Sequence, residues 1–126
     1  MIKNKADPRL YSNSSVNKEK FKPIHLAAKL GKVDILKELL KAYPKLIDDN
    51  DNSMKMTPLH IAATKNRLKA VEFLCKSNAN IEAVAKKNRT ALDLAIKNKR
   101  EEVAQTLRVK FKATNMVEQW PDNWRK

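Results

Sequence analysis

His25, His60 and Cys75 are the side chains of this sequence whose types best suit acid–base, nucleophilic or metal chemistry, since it holds 2 histidines and 1 cysteine in all. An imidazole becomes a catalytic base or a metal ligand only beside a suitable carboxylate, thiol or second imidazole. Here each histidine instead follows a proline by two residues, in Pro23-Ile24-His25 and Pro58-Leu59-His60. A histidine repeated with its surroundings fits a structural role better than a reaction centre. Cys75 has no partner for an internal disulfide or a thiol metal cluster. On the buried side of a helix it acts as a small hydrophobe. No HExxH stretch and no nucleophile elbow occurs, and with Gly31 as the single glycine a phosphate-cradling loop is excluded. No catalytic residue, cofactor or metal site is therefore assigned, and the chain is not expected to be an enzyme.

Charge gives a broader lead. Lys and Arg number 27 against 14 acids, a net +13 in 126 residues. Such an excess attracts nucleic acid, an anionic membrane face or an acidic protein, or it simply keeps the surface wet. Its distribution is uneven. Residues 21–53 carry 6 basic and 5 acidic side chains, whereas residues 54–108 carry 12 and 5.

The elements that must position these charges are helical and repeated. Pro23 suits a first helical turn, where its missing N–H is not needed. The segment it opens, Ile24-His25-Leu26-Ala27-Ala28, stops at Gly31. Val33, Ile35, Leu36, Leu39 and Leu40 recur at helical spacing, predicting a second helix of about ten residues that Tyr43-Pro44 ends. The plan restarts at Thr57-Pro58-Leu59-His60-Ile61-Ala62-Ala63 and continues through Leu68, Val71, Phe73, Leu74 and Cys75. A third copy runs from Thr90-Ala91-Leu92-Asp93-Leu94-Ala95 to Val103, Ala104 and Leu107. From Pro23 to Pro58 is 35 residues and from Pro58 to Ala91 is 33. Self-similarity at that period marks a stacked repeat whose units cannot bury their apolar faces alone.

The TPLH-type segments, the period and the Ala-Ala pairs together resemble ankyrin repeats. The resemblance covers residues 21 to 108 and implies an all-α solenoid of stacked helix-turn-helix units joined by hairpin-like loops. We divide the chain into a remnant of a preceding repeat, or a cap, with its loop at 1–20, repeats at 21–53, 54–86 and 87–108, and a capping or tail segment at 109–126. The family usually places glycine where the backbone turns with positive φ, and Asn66, Asn78 and Asn88 stand at such breaks here. In the tail, Trp120 with Phe111, Met116 and Val117 is expected to cover the last apolar face; the alternative is an exposed motif anchored by its tryptophans.

The family binds partners through the fingertip turn before each TPLH segment and through residues just after the Ala-Ala pair. On this sequence those positions are Met54, Met56, Lys86, Lys87 and Arg89 at the fingertips, and Lys29, Leu30, Thr64, Lys65, Lys97 and Asn98 after the first helices. The resemblance thus implies a protein-interaction module, an adaptor or scaffold, whose concave groove takes an acidic or acidic–hydrophobic protein partner. Direct binding of nucleic acid or anionic lipid is the runner-up, followed by a targeting role within a larger enzyme or effector. The N-terminus is basic with no apolar core after it, so no signal peptide is expected, and no apolar run is long enough to span a membrane. A monomeric, cytoplasmic protein is expected.

Overall fold

The computed structural model describes residues 20–124. The reading of residues 1 to 8 as a repeat remnant lies outside them. Among the described residues lie six helices: α1 (Pro23–Leu30), α2 (Val33–Ala42), α3 (Pro58–Thr64), α4 (Leu68–Lys76), α5 (Ala91–Lys97) and α6 (Glu101–Gln105). The last continues into a π-helical turn, Thr106–Lys110.

The first helix of each pair starts where the sequence offers a cap. Thr57 Oγ1 accepts the His60 N–H at 3.4 Å and Thr90 Oγ1 accepts the Asp93 N–H at 3.2 Å. Lys22 has no hydroxyl at the equivalent place, and α1 relies on Pro23 in its first turn. The three helices end alike. Gly31, Asn66 and Lys99 hold φ values of 70°, 62° and 59°. The next N–H in each case returns to a helical carbonyl: Lys32 to Ala27 at 2.9 Å, Arg67 to Ala62 at 2.8 Å and Arg100 to Ala95 at 2.8 Å. Glycine at position 31 also leaves room for the next repeat, since a Cβ there would lie 3.0 Å from Cδ of Arg67 and that side chain would have to shift slightly. Asn66, Asn78 and Asn88 all have positive φ, but so do Lys55, Lys87, Lys99 and Lys112. Turn chemistry alone did not mark those lysines.

Stacking builds one core. Helix α3 packs between α1 and α5 and against α4. Ala28, Ala62, Ala63 and Ala95 are fully buried at these contacts, where small side chains let helices approach. Leu36, Val71, Leu74, Val103 and Leu107 fill the layer beneath. Fully burying a side chain of this size contributes about 1.5–3 kcal/mol relative to leaving it exposed. The stack therefore holds only when neighbouring repeats are in place.

The tail closes the far end, with a different set of side chains from the one expected. Phe111 and Trp120 pack against the core as expected. Met116 and Val117 do not: they are 58% and 45% exposed. Trp124 is buried instead, meeting Trp120 edge-on at 5.4 Å, and its carbonyl accepts the Gln105 amide at 3.3 Å. The Arg108 guanidinium lies 4.4 Å over the Trp120 ring.

Candidate partner-binding surface

The two histidines tie each repeat to the next. Nδ1 of His25 accepts the Lys22 N–H at 3.0 Å, so its proton sits on Nε2, 2.7 Å from the carbonyl of Asp49. His60 repeats the pattern, with Nδ1 taking the Thr57 N–H at 3.0 Å and Nε2 reaching the Ala83 carbonyl at 3.0 Å. Both rings are buried, and burial holds their pKa below the ordinary 6.5 despite the carbonyl bonds. They are neutral frame residues. Cys75 is also frame: burial, aided by the Glu72 charge, pushes its thiol up to about 12, so no thiolate nucleophile exists near neutral pH.

The third repeat departs from this pattern, in a way the sequence-based expectations did not include. Asp93 occupies the histidine position. Its carboxylate accepts N–H groups from Thr90, Met116, Val117 and Glu118, each at 2.9 Å. Burial alone would raise this carboxyl, but the bonds from Thr90, Val117, Glu118 and Met116 outweigh it and hold the pKa low. The signal was available in Thr90-Ala91-Leu92-Asp93, where an acceptor stands in a donor's place. Arg67 and Arg100 are likewise outside those expectations. Each immediately precedes a second helix and donates through Nε to the preceding repeat, at Lys29 O and Thr64 O respectively, both at 3.0 Å.

The expected contact residues fall into two groups, one at each end of the first helices. A seven-residue helix separates such ends by about 11 Å. At the fingertips, Met54 is 44% exposed and its carbonyl accepts the Lys86 N–H at 3.1 Å, joining two adjacent loops. Lys86 and Lys87 are exposed on a short 3-10 turn, beside a further exposed apolar residue, Val84. Met56 is half-buried against the core, gripped at N–H and C=O by the Asn52 side chain at 3.0 and 2.7 Å. Arg89 is half-buried and paired with Glu118 of the tail. These two residues hold structure as well as surface.

At the other end, Leu30 is 56% exposed and Lys29 half-buried, while Lys65 and Lys97 are exposed at equivalent places. Thr64 keeps its hydroxyl buried with no hydrogen-bond partner. Asn98 turns its amide back to the Leu94 carbonyl at 2.8 Å. The resulting surface is a cationic, partly apolar set of loops on a stiff stack, suited to contact rather than reaction.

The family model described as Ankyrin repeats (3 copies) matches residues 1–85 and 24–117. The chain belongs to the ankyrin-repeat family, whose arrays are generally protein–protein interaction modules. It is 33% identical to alpha-latrocrustotoxin-Lt1a of Latrodectus tredecimguttatus over 75% of its own length and 6% of the toxin's. It is 36% identical to transient receptor potential cation channel subfamily A member 1 of Drosophila melanogaster, over 58% of this chain and 6% of the channel. Ankyrin repeat and SOCS box protein 2 of Bos taurus is 35% identical over 52% of this chain and 10% of that protein. The chain thus spans a tenth or less of these relatives. Among the described residues no helix is long and apolar enough to cross a membrane.

Proposed function

We propose that the chain is a non-catalytic binding module, acting in the cytoplasm, whose fingertip loops take an acidic protein segment carrying apolar anchors. The observation that supports it is the fingertip row. Exposed Met54 and Val84 lie among exposed Lys55, Lys86 and Lys87, and the Met54–Lys86 backbone bond sets two loops side by side. The ammonium groups steer an acidic partner and fix its register. Methionine adapts its shape to the anchor. Because the stack is preorganised, binding orders few of its own groups. Lys29, Leu30, Thr64, Lys65, Lys97 and Asn98 extend the contact along the helix ends.

The test is affinity capture from cytosol with the intact chain, with Lys86→Glu/Lys87→Glu, and with Lys32→Glu/Lys69→Glu as a charge-matched control. Arg89 is left alone because its reversal would disturb Glu118. Proteins lost with the first pair and kept with the second support the reading. Equal loss with both means that net charge alone is at work.

A further inference from the structure

The outward face of the stack carries a groove that the fingertip reading does not use. It lies between α2 and α4 and encloses about 360 Å³. Leu40, Ile47 and Phe73, all half-buried, form its apolar floor with Pro44 at one end, and Lys37 and Lys41 stand on the rim. The sequence builds it directly. Lys37, Leu40 and Lys41 follow the i, i+3, i+4 spacing of one face of α2, and Pro44 opens the 3-10 turn Pro44–Asp48 that carries Ile47.

The next repeat gives an internal comparison. Advancing Lys37 by the 35-residue period reaches Glu72, and advancing Ser77 by the 33-residue period reaches Lys110. Glu72 and Lys110 form an ion pair at 3.7 Å that spans α4 and the end of the α6 arm. The groove has an ammonium where the next repeat has a carboxylate, and a serine where the next repeat has an ammonium. Among the described residues neither Lys37 nor Lys41 has a carboxylate partner. Of the acids adjacent in sequence to the lining, Asp48 accepts the Asn80 N–H at 2.8 Å, Glu72 pairs with Lys110, and Glu38 is exposed. Lys45 and Lys76 add exposed cations next to Pro44 and Ser77.

We propose that this groove is a second docking site, for an acidic peptide segment of a partner protein with one large apolar side chain. The side chain fills the floor of Leu40, Ile47 and Phe73, and flanking carboxylates pair with Lys37 and Lys41. The site does not depend on the fingertip reading, and either can fail alone.

Amide chemical shifts of the full chain, titrated with the synthetic peptide acetyl-Asp-Glu-Ser-Phe-Glu-Asp-amide, test it. The expected result is movement of the Leu40, Ile47, Phe73 and Ser77 signals, with affinity falling about five- to tenfold in Lys37→Glu/Lys41→Glu. Both lysines are exposed, so this variant should fold, and its unperturbed spectrum elsewhere verifies that. In Lys86→Glu/Lys87→Glu the groove shifts should persist. No groove shift at millimolar peptide overturns the proposal. So does equal binding of a peptide with Ser for Phe, or groove shifts produced only by phosphatidylserine-containing vesicles.

Discussion

Asp93 stands where His60 stands one repeat earlier, and it reverses the polarity of the bond to the succeeding loop. His60 donates to the Ala83 carbonyl of the next loop, whereas Asp93 accepts three consecutive N–H groups at Met116, Val117 and Glu118. The loop after the third repeat therefore presents donors, as a carboxylate demands, and Thr90 Oγ1 adds a bond to Thr114 O at 2.8 Å. One substitution in the motif changes a stacking joint into a clasp for the tail.

Removing the carboxylate should free that clasp. Asp93→Ala leaves the Thr90, Met116, Val117 and Glu118 N–H groups without their acceptor, and about 3 kcal/mol of stability should be lost in urea unfolding. Limited proteolysis should then cut between 112 and 121 in the variant and spare those bonds in the parent chain. Equal cutting in both would show that Asp93 does not hold the tail.

Stability should fall on mild acidification. His25 and His60 have folded-state pKa values below 6.5, so the unfolded chain binds more protons as pH drops. Their contribution is fully present above 6.5 and is lost progressively below it. Asp93, depressed below 3.8, adds a second loss of the same sign at lower pH. The urea midpoint should decline from pH 7.5 to 5, with a shallower decline in His60→Gln measured against its own neutral value. A flat profile in the parent chain contradicts neutral, buried imidazoles.

Lys99 holds φ 59° at a position that Gly31 fills in the first repeat. Lys99→Gly should relieve left-handed strain and raise stability by about 0.5–1 kcal/mol. Gly31→Ala should lower it, since alanine is strained at φ 70° and its Cβ would crowd the Arg67 side chain. Thermal unfolding of the two variants should give shifts of opposite sign.

These residues mark what could and could not be read in the sequence. The repeat was legible because Thr57-Pro58-Leu59-His60 and the Ala-Ala pairs carry local, periodic constraints that recur along the chain. The joint at Asp93 was not, because its partners lie 23 to 25 residues away in a tail with no period. The same holds for the cap. Exposure of Met116 and burial of Trp124 depend on how the chain folds back, which hydrophobicity alone does not order. Of the surface residues, Met54, Lys86 and Lys87 were reached by their place in the repeat. The engagement of Arg89 by Glu118, and of Met56 by Asn52, needed the tertiary fold.

The basic surface also makes the runner-up testable. A mixed-sequence DNA or RNA duplex should show no gel shift with the chain at physiological salt, because aromatic stacking groups are few and no nucleic-acid motif accompanies the lysines. A shift that strengthens as salt falls and persists near physiological salt would favour the polyanion reading.

Site-specific photo-crosslinking tests the fingertip account most directly. Benzoylphenylalanine replacing Met54 should capture in cytosol a partner segment rich in Asp and Glu, and the yield of adduct should drop in high salt. The same photoreactive group replacing Lys69 on α4 should not capture it. Equal capture from both positions, or capture from position 69 alone, would contradict a binding surface centred on the fingertips.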